Sequence, residues 1–120
     1  MDLVDEQLQN SKTIAVVGLS GDPERTSFRV TRYMQQQGYR IIPVNPMVDE
    51  VLGEKAYPDL KSVPEPIDMV NVFRRSELVP PVIEQAIEVG VKYIWMQDGV
   101  INDEWAAKAE AAGVPVIQND

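Results

Sequence analysis

The chain has no cysteine and no histidine among its 120 residues, and these two absences exclude a large share of enzyme chemistry. Without cysteine there is no disulfide, no thiolate metal site and no thiol nucleophile. Without histidine, neither a Ser-His-Asp triad nor a phosphohistidine intermediate can be built, and transition-metal sites lose a preferred ligand. Long apolar runs are missing as well, since none approaches the ~20 residues that span a bilayer. The acidic start "MDLVDEQLQN" has no apolar core of the kind a signal peptide needs. Bases are scarce, 11 against 19 acids, for a net charge of −8. Non-specific binding to nucleic acid is therefore not expected. The expectation is one cytoplasmic domain spanning residues 1–120, of a binding rather than a catalytic type, with no nucleic-acid or membrane partner.

Three segments share one grammar of amphipathic helix, glycine and short apolar strand: "RVTRYMQQQGYRIIPV", "VIEQAIEVGVKYIWM" and "WAAKAEAAGVPVIQ". Gly38, Gly90 and Gly113 stand where a left-handed residue ends a helix at little cost. With "TIAVVG" and "IDMVNVF" they give five strands, near 13–18, 40–45, 67–73, 92–96 and 114–117. Their apolar runs are nearly continuous, as in a parallel sheet covered on both faces. The fold class is thus α/β, a Rossmann-like doubly wound sheet of about five strands, with an expected order of 3-2-1-4-5. Residues 46–66 carry four prolines and read as a long ordered connection with at most a turn of helix. The first ten residues read as a short helix packing Leu3, Val4 and Leu8 onto the sheet.

In such a sheet the ligand crevice lies outside the carboxyl ends of the strands. After the first strand comes "GLSGDPERTS", which has the layout of a phosphate cradle without the usual G-x-G-x-x-G spacing. Gly18 lets the backbone approach a ligand, Ser27 or Thr26 would cap the next helix, and Arg25 offers a planar fork to phosphate oxygens. The same stretch reads equally well as an ordinary loop with a capped helix and a solvent-facing arginine. The end of the second strand, Asn45-Pro46, lacks the acid that binds an adenosine ribose in NAD sites. It suits a phosphorylated ribose better, though Asn-Pro is also a common turn opener. "FRRS" after the third strand supplies Phe73, Arg74 and Arg75, with Ser76 as a helix cap; Phe73 serves equally as a ligand wall or as core. "QDG" after the fourth supplies Gln97, Asp98 and Gly99, and Asn102 or Asp103 caps the last helix. The negative total does not forbid an anion here. A charge ~20 Å away in water contributes about 0.2 kcal/mol, whereas one arginine at ~4 Å contributes up to about 4 kcal/mol before desolvation.

Taken together, "VVGLSGDPERTSFRV", "YRIIPVNP", "VLGEKAYPDL", "IDMVNVFRRSELVP" and "WMQDGV" resemble the small bacterial CoA-binding proteins. These are similar to the CoA-binding domain of the succinyl-CoA synthetase α subunit and of ADP-forming acyl-CoA synthetases. The resemblance covers about residues 10 to 120. It implies bound coenzyme A or acyl-CoA, contacted by Gly18, Leu19, Ser20, Pro23, Arg25 and Ser27 of the first loop. Further contacts implied by it are Val44, Asn45 and Pro46, then Val72, Phe73 and Arg74, then Gln97 and Gly99. No catalytic or metal-ligating residue is implied, and the ligases' phosphohistidine has no counterpart. Met47 stands where related domains often place a lysine. The alternatives are an NAD(P)-linked oxidoreductase and a regulatory protein that senses a nucleotide; neither a protein partner nor an acyl group follows from the residues.

Overall fold

The computed structural model describes residues 2–120. Its elements in chain order are α1 (Leu3–Gln9), β1 (Thr13–Val17), α2 (Thr26–Gln36), β2 (Arg40–Val44), β3 (Glu50–Val51) and β4 (Glu54–Lys55). They continue with a 3-10 turn (Leu60–Ser62), β5 (Met69–Val72), a second 3-10 turn (Ser76–Leu78), α3 (Val79–Val89), β6 (Tyr93–Met96), α4 (Asp103–Ala111) and β7 (Val116–Ile117). Five strands form a parallel sheet in the order β2-β1-β5-β6-β7. Both faces are covered, which is why the apolar runs do not alternate with polar residues. Ala15, Val17, Val70, Val72, Ile94 and Met96 pack with Ile83 and Ala86 of α3 and Ala106 and Ala109 of α4. On the other face Ile14, Val16, Ile41 and Met69 meet Leu8 of α1 and Phe28 and Met34 of α2. Among the described residues no helix is long and apolar enough to cross a membrane.

The sheet order corrects the expected 3-2-1-4-5. The strand at 69–72 lies beside β1, not at the far edge beyond β2. That edge holds only a single-residue parallel bridge, Val44 to Tyr57, closed by Tyr57 N–H donating to Pro43 O at 3.0 Å and Asn45 N–H donating to Tyr57 O at 2.9 Å. A longer strand cannot grow there because Pro46 and Pro58 bracket the segment and have no N–H to give a ladder. The connection also holds the antiparallel β3–β4 hairpin, which the sequence did not announce. Its turn places Leu52 at φ 55 and Gly53 at φ 78, the positive pair a tight hairpin requires, but with leucine where asparagine or aspartate usually signals it. In α1 the fully buried residue is Gln7, whose Nε2 donates to Ile94 O and Pro115 O at 3.5 and 3.4 Å. Leu3 and Val4 are only half-buried.

At the amino-terminal rim Asp68 staples two strands together. Its carboxylate accepts from the backbone N–H groups of Lys12 and Thr13 at 2.8 and 3.1 Å and faces Lys92 Nζ at 3.4 Å. Burial alone pushes this carboxyl up, but the two backbone bonds and Lys92 outweigh it and hold its pKa below the ordinary 3.8. A depressed folded-state pKa means stability that is present above the ordinary value and is lost as pH falls through the folded one. Asp68→Ala should therefore cost roughly 1.5–3 kcal/mol near neutrality. The gap between variant and wild type in urea unfolding should close as the pH drops below about 4; a gap that does not change with pH would contradict this role.

Candidate functional site

β1 sends its chain to one side of the sheet, toward β2, and β5 sends its chain to the other, toward β6. Loops that diverge in this way leave a cleft between them at the carboxyl ends of the two strands. The strands are close at this point: a Cβ built on Gly18, whose φ is 84, would lie 2.3 Å from the carbonyl oxygen of Phe73. Only glycine fits there. Above it opens a cleft of about 610 Å³ lined by Gly18, Ser20, Arg25, Thr26, Ser27, Phe73, Arg74, Arg75, Gln97, Asp98, Gly99 and Val100. That volume is within the range of small-molecule sites.

The first loop is held in shape by its own side chains. Ser20 N–H donates to Ser27 Oγ at 3.1 Å, Asp22 N–H to Ser20 Oγ at 3.0 Å, and Glu24 N–H to Asp22 Oδ1 at 2.9 Å. Asn45 clamps the loop from the end of β2, its Nδ2 donating to Leu19 O at 3.0 Å while its Oδ1 accepts from Met47 N–H at 2.9 Å. The expectation that Ser27 or Thr26 caps α2 is corrected here. The N-cap is Arg25, which makes no side-chain cap bond, and the first turn of α2 carries no acid. Ser27 falls inside the helix and its hydroxyl is engaged by Ser20 instead. Consequently, among the described residues, nothing in the chain accepts from the N–H groups of Thr26, Ser27 and Phe28. Free donors at the positive end of a helix dipole favour an anion.

Charge at the cleft has the same sense. Arg25, Arg74 and Arg75 line it against one acid, Asp98. Arg75 is exposed and leans toward Glu77 Oε1 at 3.6 Å. Arg74 is half-buried, and its Nε is buried with no partner. Its side chain also walls a second, smaller cavity of about 180 Å³ formed by Val17, Val44, Pro58, Asp59, Leu60, Leu78, Pro81, Val82 and Gln85. Asp59 in that cavity is occupied, accepting from the N–H and hydroxyl of Ser62 at 2.9 and 2.7 Å.

Of the fourteen residues named from the sequence, the cleft unites Gly18, Ser20, Arg25, Ser27, Phe73, Arg74, Gln97 and Gly99. Phe73, read as either a ligand wall or core, lines the cleft and packs against the core of the α2 face. Val44 lines the smaller cavity instead. The side chains of Leu19 and Val72 are fully buried in the two cores, so neither can present a side chain to a ligand. Pro23 and Pro46 are exposed and line neither cavity, and Asn45 acts on the loop from beneath. The end of β2 misses the main cleft because β1 separates it from β5. Not among the named contacts were Thr26, Arg75, Asp98 and Val100 of the cleft, nor the smaller cavity apart from Val44 and Arg74. α3 has prolines in its first turn, and nothing local indicated that Leu60 would line the cavity opposite Pro81. Ser76 is not the cap of α3, which is Leu78; Asn102 does cap α4, accepting from Trp105 N–H at 3.0 Å.

Comparison with known proteins relates this chain to a family. Residues 12–120 match a protein family described as "CoA binding domain". The chain is 50% identical over 116 residues to YneT, an uncharacterized protein of Bacillus subtilis, a match covering 97% of this chain and 86% of that protein. It is 33% identical over 84 residues to the α subunit of the ADP-forming acetate–CoA ligase II of Pyrococcus furiosus, covering 69% of this chain but 18% of that subunit. The solved structure of a hypothetical protein from Pyrococcus horikoshii superposes with a TM-score of 0.93 at 40% identity, covering 97% of this chain and 82% of that one.

Proposed function

We propose, from the premise that this chain belongs to the CoA binding domain family, that it holds coenzyme A or a small acyl-CoA in the cleft without transforming it. The observation that carries this reading is the open N-terminus of α2 flanked by Arg25 and Arg74. Three free N–H groups and two guanidinium forks match the oxygens of a diphosphate, which takes bidentate charge-assisted bonds. The nucleoside end would turn past Arg74 into the smaller cavity, where Val44, Leu60 and Pro81 provide an apolar seat. The thiol arm would leave along Phe73, Gln97 and Gly99.

Binding without turnover is favoured by the side chains available. The chain has no histidine to carry a phosphoryl group and no cysteine to carry an acyl group. The ligase subunit is several times longer than the segment it shares with this chain. An NAD-type site is disfavoured because the residue after β2 is Asn45 rather than an acid for ribose hydroxyls; Asp59, the acid in the smaller cavity, is held by Ser62.

Thermal unfolding tests the proposal. Ligand at one hundred times its Kd adds about 2.7 kcal/mol to stability, roughly a 10 °C rise in Tm for a chain of this size. Coenzyme A should reach that shift at concentrations where NAD⁺ gives a small fraction of it, and Arg25→Ala should reduce it. An equal or larger shift with NAD⁺ would reverse the assignment.

A further inference from the structure

β5 is a central strand, yet Asn71 sits in it between Val70 and Val72 and is only 2% exposed. Asparagine is depleted from strands, and a buried carboxamide is costly unless its polar atoms are bonded. Its Nδ2 donates to Met34 Sδ of α2 at 3.8 Å, and its Oδ1 accepts from Gln97 Nε2. These two contacts fix a direction. A thioether sulfur accepts and never donates, so the NH₂ of Asn71 must face Met34 and its carbonyl must face Gln97. Gln97 must then turn its own NH₂ inward. Its Oε1 is left without a donor among the described residues, in a side chain that lines the cleft.

We infer that Asn71 is a positioning residue: it holds the Gln97 carboxamide so that Oε1 stands at the β6 end of the cleft as a hydrogen-bond acceptor, selecting a ligand arm with a donor at that point. The inference rests on the proposed binding of coenzyme A, whose arm carries three kinds of donor, a hydroxyl, amide N–H groups and a terminal S–H. An acceptor held in place has lost its freedom before the ligand arrives, so less is lost when the bond forms.

Calorimetric titration of wild type, Asn71→Leu and Gln97→Leu with three ligands tests this. The ligands are coenzyme A, acetyl-CoA and adenosine 3′,5′-bisphosphate, which has no arm. Both variants should bind coenzyme A about 3- to 10-fold more weakly and leave the bisphosphate unchanged. The double variant should lose no more than either single one, because both act through one oxygen. If wild type binds acetyl-CoA as weakly as the variants bind coenzyme A, the donor is the S–H; if acetyl-CoA follows coenzyme A throughout, it is the hydroxyl or an amide N–H. Parallel weakening of the bisphosphate in Asn71→Leu, or unaltered coenzyme A binding in the cleft-lining variant Gln97→Leu, would overturn the inference.

A ligand-free measurement separates this from the function itself. The side-chain NH₂ protons of Gln97 should exchange slowly and resonate away from free-glutamine positions in wild type, and revert in Asn71→Leu. Free-glutamine behaviour in wild type would overturn the positioning role whatever the protein binds. Failure of wild type to bind coenzyme A would instead overturn the proposed function and the selection built on it, with the resonances still deciding what Asn71 holds.

Discussion

Gly18→Ala is expected to abolish coenzyme A binding and to lower stability by roughly 2–5 kcal/mol, from a left-handed alanine and an overpacked contact together. The methyl group would arrive 2.3 Å from Phe73 O, a backbone atom that cannot swing aside. Relief requires the carboxyl ends of β1 and β5 to separate, which strains the bond from Phe73 N–H to Val17 O at 2.8 Å. It also moves the first loop and Arg74, two walls of the cleft. Gly21 provides the control. Its φ is not positive and a Cβ there meets nothing within 4 Å, so Gly21→Ala should be close to neutral or stabilise by up to about 1 kcal/mol. Urea unfolding with coenzyme A titration on both variants decides the matter. A Gly18→Ala protein that keeps wild-type stability and affinity would show that the strands do not need this approach.

Arg74→Ala should separate affinity from stability. In the free protein Arg74 Nε is buried without a partner, a situation that costs stability. Removing it relieves that cost and removes some packing by the aliphatic stem, so Tm should change little. Coenzyme A affinity should fall about 10- to 100-fold, the effect of losing charge-assisted bonds of ~1.5–3 kcal/mol. Arg74→Lys should rescue little, because an ammonium cannot reproduce the planar fork. The salt dependence of binding should also be shallower in Arg74→Ala. A variant that unfolds readily yet binds with unchanged affinity would assign Arg74 to the scaffold alone.

The elements of this protein were legible in its sequence wherever a single physical demand acted locally. Burial on both faces of the sheet requires unbroken apolar stretches, and "TIAVV" and "MVNV" became β1 and β5. Gly38, Gly90 and Gly113 take positive φ within two residues of the ends of α2, α3 and α4, as helix ends ask of glycine. The β3–β4 hairpin escaped notice because its turn is Leu52-Gly53, and leucine at positive φ is tolerated by context rather than announced by propensity. Four of the six site residues that missed the cleft, Leu19, Val44, Asn45 and Val72, belong to the right loops and strands, but the direction of each side chain and the identity of the neighbouring strand decide what it lines. Pro23 and Pro46, by contrast, are exposed in loops.

The residues alone settled that the chain is a doubly wound α/β protein with donors and arginines after its first and third long apolar runs, because backbone periodicity and helix termination are properties of neighbouring residues. Only the tertiary structure decided that β5 lies beside β1, so that Gly18 faces Phe73 and α2 opens its N-terminus between Arg25 and Arg74. Strand adjacency depends on contacts between segments some fifty residues apart. No local pattern carries that information, since each strand is apolar enough to pair with any other.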